Sequence, residues 1–246
     1  MTPRIVFVTT FPDAADVARA MVPAGFELAV VPGGSAEYRA ALADAEYLVG
    51  FVDALIEPAL FRDGPRLRLV QLLSAGYDRA DLEAARAAKV PVCNNGGANA
   101  VAVSEHAVML MLAVSRQLVR QHLSVAAGAW RGNRVPRVHE LRGRTLGIVG
   151  LGTIGKKTAR LAQAFGMTVI YHDIARLPED REDQLDVRFR LLRELLREAD
   201  VVSLHTPLND GTRHMIGAAE LALMKPDAIL VNTARGPVVD EAALIA

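Results

Sequence analysis

Apolar positions along the chain follow two rhythms in alternation. Short, nearly continuous apolar runs at residues 5–9, 27–31, 47–52, 67–73 and 90–93 predict buried strands. Between them, apolar residues spaced three and four apart over 13–22, 36–43 and 82–88 predict helices. The second half repeats the alternation, with strand-like runs at 146–149, 168–171, 187–189, 201–204 and 228–231 and helical spacing between them. Strand and helix in alternation build a parallel sheet covered on both faces. The expected fold class is therefore α/β, as two doubly wound parallel-sheet domains. A helical pattern from 100 to 127, closed by Gly128, stands between the two sets and predicts one long helix. The boundary is expected just before it, giving domains 1–98 and 99–246.

The run at 146–149 leads into Gly150-Leu151-Gly152-Thr153-Ile154-Gly155, and a helical pattern follows with Ile154, Thr158, Leu161, Ala162 and Phe165 on one face. Gly166 stands where a helix end favours positive φ, and the next strand-like run ends on Asp173. Each part suits a dinucleotide. Gly150 permits a tight turn, Gly152 lets the backbone approach a pyrophosphate with no Cβ in the way, and Gly155 lets the helix pack close to the strand. The pyrophosphate would rest on the exposed N–H groups at the helix start, where aligned peptide dipoles favour negative charge. Asp173, about twenty residues beyond the first glycine, can accept hydrogen bonds from the adenosine ribose. Its charge would repel a 2′-phosphate, so NAD is expected in preference to NADP, with nearby Arg176 as a counter-signal. A glycine triplet alone reads as a turn. Strand, glycines, helix, second strand and terminal acid together make the second domain a Rossmann dinucleotide-binding fold.

The first domain has no such glycine turn after its first strand, so something other than a nucleotide is expected there. Ser74-Ala75-Gly76-Tyr77-Asp78 follows the fourth strand at its carboxyl end, where open sheets place ligands, and its small residues leave backbone N–H groups available to a carboxylate. The same residues also read as an ordinary strand-to-helix turn. Asn94-Asn95-Gly96-Gly97-Ala98-Asn99 reads either as a hinge or as a plain linker. Glu105 and His106, adjacent on a helix, point to different faces, and His106 reads as structural. His205-Thr206-Pro207 and Asn232-Thr233-Ala234-Arg235-Gly236 each follow a strand at its carboxyl end and border one ligand crevice. Arg235 offers a permanent cation with a bidentate fork for a carboxylate or carbonyl oxygen; the alternative is a surface ion pair.

Composition narrows the picture. At 246 residues and 51% apolar, the chain can bury one large core or two modest ones, and two is the better reading. Lys plus Arg equal Asp plus Glu, 28 against 28, with no basic run, so neither nucleic acid nor a membrane surface is expected as a partner. Cys93 is the only cysteine, which fits a reducing, cytoplasmic compartment. The opening MTPRIVFVTTF has too short an apolar run for a signal peptide, and the apolar stretch at 107–114 is far short of a membrane span. No metal is expected.

Three blocks in order, ELRGRTLGIVGLGTIGKKTARLAQAFGMTVIYHD, ADVVSLHTPLNDGTRHMI and MKPDAILVNTARGPVVDEAAL, resemble the D-isomer-specific 2-hydroxyacid dehydrogenase family. The earlier NNGGANAVAVSEHAVMLMLAVSR is similar to that family's approach to its cofactor domain, and the resemblance covers nearly the whole chain. It implies an NAD-dependent oxidoreductase moving a hydride between nicotinamide C4 and C2 of a small 2-oxo or D-2-hydroxy acid. It implies NAD held by Thr153, Ile154, Asp173, Thr206, Thr233 and Arg235, with His205, Pro207, Thr212 and Ala234 around them. Arg235 takes the substrate-orienting and carbonyl-polarising role. Backbone amides around Ser74, Ala75 and Gly76 take the carboxylate, and Asn99 lies near the nicotinamide edge of the cleft. The resemblance also implies a homodimer built largely through the long helix and its neighbours. The Ser74-Ala75-Gly76 form of the loop is closer to glyoxylate and hydroxypyruvate reductases than to phosphoglycerate dehydrogenases.

Gly96-Gly97 stands where the family commonly has a proline. The family's glutamate, roughly thirty residues beyond the arginine, and the histidine farther on have no counterpart here, and His205 and His214 do not match that histidine's motif. Asp240 caps a helix that stops after about two turns, shorter than a helix needs to be stable alone. The second sheet is left with an edge strand that a sixth strand would cover. The expectation is a fragment whose Rossmann fold lacks its C-terminal part. The alternative function is a catalytically silent dinucleotide-binding or sensor protein.

Overall fold

In the computed structural model, which describes residues 2–129 and 137–246, strand and helix alternate through two units, Met1–Ala98 and Asn99–Ala246. The first contains β1 (Arg4–Val8), α1 (Pro12–Met21), β2 (Glu27–Val31), α2 (Ala36–Leu42), β3 (Tyr47–Gly50), α3 (Pro58–Asp63), β4 (Leu69–Leu72), α4 (Leu82–Ala88) and β5 (Val92–Cys93). Its sheet runs β2-β1-β3-β4-β5, every pairing parallel. Alternate strand residues Val6, Leu48, Val70 and Leu72 are fully buried against Leu42 and Ile56, which is why these runs fold as strands covered by helices. Ser35 Oγ accepts the Tyr38 N–H at 3.0 Å to start α2, and Asp81 Oδ1 accepts the Ala84 N–H at 2.9 Å to start α4. The sequence around Asp63-Gly64-Pro65 reads as a connecting turn, but the structure places a helix before it. Asp63 ends α3, a six-residue helix opened by Pro58 and too short to show a period.

The second unit contains α5 (Ala100–Ser115), α6 (Leu118–Ala126), β6 (Thr145–Val149), α7 (Thr153–Ala164), β7 (Thr168–His172), α8 (Glu179–Leu185), β8 (Val187–Phe189), α9 (Leu192–Glu198), β9 (Val201–Leu204), α10 (Ala218–Leu221), β10 (Ile229–Asn232) and α11 (Glu241–Ile245). The sheet runs β10-β9-β6-β7-β8, again all parallel. Both faces are covered. Leu146, Ile148 and Tyr171 bury toward Met111 and Ala159 on one face, while Val149, Ile170 and Val202 bury toward Leu195 and Leu196 on the other. Gly147 lies under α9 so closely that a Cβ there would sit 2.5 Å from Leu195 Cδ2.

Two expectations need correction. The single helix over 100–127 is two helices, broken where Gln117 adopts φ 49°. The chain returning at His139 donates its N–H to Ser115 O at 2.9 Å, and Gln117 Nε2 donates to Arg137 O at 3.0 Å. A strand of backbone docked on the end of α5 stops the helix, with no Gly or Pro to announce it. The face of α7 also differs: Gly155, Thr158, Ala159 and Ala162 are buried, whereas Phe165 is 43% exposed. Small residues form the buried face because the helix backbone approaches the sheet and α5 closely. Residues 131–142, a polar, arginine-rich stretch that the sequence places between the long helical pattern and the glycine turn, lie partly outside the described residues.

Candidate active site

The strand order of the second unit reverses at β6. One set of crossovers runs outward through β7 to β8 and the other through β9 to β10, so the carboxyl ends of β6 and β9 flank a switch point. The glycine turn sits there. Gly150 has φ 95°, its N–H donates to His172 O at 2.8 Å, and a Cβ on it would lie 2.9 Å from the His205 carbonyl. His205 N–H in turn donates to Val149 O at 2.8 Å, so the turn is laced to both neighbouring strands. Gly155 would drive a Cβ into the Gly150 carbonyl. Gly152 differs from both. It has ordinary extended geometry, φ −74°, and a Cβ there would meet nothing within 4 Å. Neither backbone nor packing calls for glycine at 152, and the open space lies over the N-terminus of α7 beside exposed Thr153 and half-buried Ile154.

Asp173 closes the adjoining strand. Its Oδ2 accepts the Leu151 N–H at 2.8 Å, which fixes the carboxylate against the glycine turn. On the other side, three polar side-chain atoms are buried with no partner among the described residues: His205 Nδ1, Thr206 Oγ1 and Thr233 Oγ1. Buried polar groups are nearly always hydrogen-bonded, so three such atoms gathered at the carboxyl ends of β9 and β10 are a place that a polar ligand could satisfy; Tyr38 Oη and Thr158 Oγ1, elsewhere, are buried likewise. Burial pushes the His205 imidazole down to about 4, so the ring is neutral at pH 7. Its Nε2 lies 2.9 Å from Ser203 Oγ, a hydroxyl wholly buried within β9.

The loop after β10 is organised by Asn232. Its Oδ1 accepts the Ala234 N–H at 3.0 Å and its Nδ2 donates to Arg235 O at 2.9 Å, so one carboxamide clamps the backbone that carries Thr233 and Arg235. Arg235 is exposed, and Nη1 donates to Ala234 O at 2.8 Å. Thr212 uses its hydroxyl within its own loop, donating to Pro207 O at 2.6 Å and accepting the Asn209 N–H at 2.9 Å. Asn99 is the residue preceding α5, and its carbonyl accepts the Val103 N–H at 2.9 Å.

In the first unit, the loop after β4 is held through its carbonyls and not through its amides. Ser74 Oγ donates to Gly76 O at 2.7 Å, Asn94 Nδ2 donates to Ala75 O at 2.7 Å, and Asn95 N–H donates to Ser74 O at 2.9 Å. The amides of Ala75 and Gly76 donate to no described residue. Asn94 and Asn232, named in the sequence only as members of their loops, and Ser203, which the sequence did not single out, are the residues that position these segments. Their signal was a polar side chain at or inside the end of an apolar strand. Among the described residues no group of three or more His, Cys, Asp or Glu is arranged to hold a metal ion, and no helix is long and apolar enough to cross a membrane.

The donor set fits a dinucleotide: an open glycine backbone at a helix N-terminus, a fixed carboxylate at the second strand and unpartnered hydroxyls across the switch point. Comparison with known proteins agrees. The family model for the D-isomer specific 2-hydroxyacid dehydrogenase NAD binding domain matches residues 108–246. A glyoxylate reductase of Aeropyrum pernix is 42% identical over 208 residues, 82% of this chain and 62% of that protein. A hydroxypyruvate reductase of Thermotoga maritima is 40% identical over 181 residues, 74% of this chain and 58% of that one. The chain thus spans about 62% of the length of the first of these relatives. Among solved structures, a D-lactate dehydrogenase from Aquifex aeolicus, complexed with NAD and lactic acid, aligns with a TM-score of 0.86 at 30% identity, covering 98% of this chain and 72% of that one. By these motifs, this topology and these matches, the chain belongs to the D-isomer-specific 2-hydroxyacid dehydrogenase family.

Proposed function

We propose that the protein is, or is part of, an NAD-dependent oxidoreductase acting on a small 2-oxo acid or D-2-hydroxy acid, with glyoxylate and hydroxypyruvate as the first substrates to try. The observation that carries this is the switch point of the second unit. There Gly152 leaves open backbone, Asp173 is fixed by the Leu151 N–H, and His205, Thr206 and Thr233 hold buried polar atoms without partners among the described residues. When bound, the nicotinamide supplies the hydride chemistry. The chain's own residues do the rest. Backbone N–H groups at the start of α7 hold the pyrophosphate, Asp173 takes the adenosine ribose hydroxyls and disfavours a 2′-phosphate, and the hydroxyls of Thr206 and Thr233 meet the remaining polar edges of the dinucleotide.

Arg235 is the cation for the substrate: a guanidinium that stays protonated, carried on a clamped loop, orients the carboxylate and stabilises negative charge developing on the carbonyl oxygen. The amides of Ala75 and Gly76 offer the first unit's donors for the carboxylate. His205 is not the proton donor in this reading, because burial holds its imidazole down to about 4, so the acidic imidazolium form is scarcely populated at neutral pH. The homodimer is part of the proposal. Val119, Leu123 and Val125 on α6 are 69%, 61% and 54% exposed, an apolar surface suited to a second copy.

The test is a fluorescence titration with NADH, followed by NADH oxidation with glyoxylate, hydroxypyruvate and pyruvate. NADH binding in the wild type, with turnover that collapses in Arg235→Gln by more than any loss of NADH affinity accounts for, supports the reading. Binding without turnover on any 2-oxo acid favours a silent dinucleotide-binding protein, and absence of binding sinks both.

A further inference from the structure

Two opposite signals for the cofactor stand at the end of β7. Asp173 suits an unmodified ribose, whereas Arg176, three residues on, is the kind of group that accommodates a 2′-phosphate. In the structure that guanidinium is engaged elsewhere. Arg176 Nε donates to Glu182 Oε1 at 2.9 Å and Nη2 to Oε2 at 3.4 Å, with Cζ 5.7 Å from the centroid of the Phe189 ring. Glu182, on α8, is only 3% exposed, so its carboxylate must be compensated where it lies. It accepts the Tyr171 hydroxyl at 2.9 Å, and that same hydroxyl accepts the Leu177 N–H at 2.8 Å. The Arg176 hydrogen bonds hold the Glu182 carboxyl below its usual range against the opposing effect of burial. The segment between Asp173 and α8 is thereby tied at Arg176 and Leu177 to β7, α8 and the ring of Phe189.

We propose that Glu182 is a specificity-determining residue for the cofactor: by holding Arg176 against Phe189 it withholds a cation from the ribose 2′ position and leaves Asp173 to decide there, which selects NADH over NADPH. This rests on the dinucleotide reading above and deepens it. Glu182 acts through Arg176, as a positioning residue, and touches no cofactor atom. A plain structural role, cementing α8 onto β7, would change melting temperature without changing which cofactor is preferred.

The experiment compares dissociation constants for NADH and NADPH, by fluorescence titration of the full chain, in wild type, Glu182→Gln, Arg176→Ala and the double variant. Glu182→Gln keeps the side-chain shape and an acceptor for Tyr171 but removes the charge that anchors Arg176. Its preference for NADH should fall by about tenfold, the worth of a charge-assisted hydrogen bond to the phosphate, through tighter NADPH binding. Arg176→Ala alone should leave the ratio unchanged, and the double variant should return to the wild-type ratio. Glu182→Asp, which retracts the carboxylate while keeping its charge, should shift the ratio in the same direction and covers the case in which the Gln variant folds poorly. An unchanged ratio in both Glu182 variants overturns the proposal. So does a double variant that keeps the shifted ratio, since lost charge and not a released arginine would then be the cause. A wild type that binds neither nucleotide brings down the dinucleotide reading itself, and this proposal with it.

Discussion

At the scale of single residues, the three glycines of the turn separate into different physical roles. Gly155 is required by packing, because any Cβ would strike the Gly150 carbonyl, so Gly155→Ala should cost about 2 kcal/mol or more in denaturant unfolding. Gly152 has open space around its Cβ position and ordinary φ, so Gly152→Ala should leave stability within about 0.5 kcal/mol while weakening NADH binding by at least about tenfold. If both variants lose stability alike, the space over Gly152 is not a ligand cradle. His205 makes a second prediction. Its native imidazole titrates at about 4 against an ordinary 6.5, so on acidification the unfolded chain takes up a proton before the native one does. Stability should therefore be unaffected by this residue above 6.5 and fall as pH drops toward 4, by an amount on the order of 3 kcal/mol. Urea unfolding across that window should show the slope in wild type and a smaller one in His205→Asn. The sequence placed His205 at a strand end but gave no sign of its environment, because burial and the Ser203 contact are set by neighbouring strands.

Among elements, the loop after β10 is the one whose geometry the site depends on most. Asn232 ties both ends of the Thr233-Ala234 step, and Asn232→Ala removes two hydrogen bonds that a mere turn residue would not make. Expected is a loss of about 1–2 kcal/mol of stability together with several-fold weaker NADH binding, read by thermal melting and fluorescence titration of the same samples. Unchanged cofactor affinity would mean that the loop holds its form by other means. Most elements were legible beforehand because an apolar run bounded by turn residues reports a strand wherever it lies. The short α3 and the break between α5 and α6 were not. A six-residue helix has too little length for periodicity to register, and the stop at Gln117 is imposed by backbone that arrives from residues 137–139.

At the largest scale, α5 and α6 together carry one run of apolar residues that remain in water. Val101, Met109 and Val114 on the first, and Leu118, Val119 and Leu123 on the second, are each about half exposed or more, while the opposite side of α5 is buried against α7. An apolar patch of this kind calls for a partner surface, and the proposed partner is a second copy. Sedimentation should then give a dimer, and Leu123→Glu, which would bury an unpaired charge in the contact, should shift it to monomer without loss of the folded unit. A wild-type monomer at all accessible concentrations would remove the homodimer from the proposal.

The α/β class, the two successive sets of strands and helices, the glycine turn and the acid that follows it can be read from the chain alone, because each is a local pattern of spacing or a fixed short distance along it. The β10-β9-β6-β7-β8 order that makes a switch point, the small-residue face of α7, the pairing of Ser203 with His205 and the capture of Arg176 by Glu182 come from folding in three dimensions. Periodicity says that a face will be buried, not by what. A charged or polar side chain acquires its role from whichever element folding brings beside it.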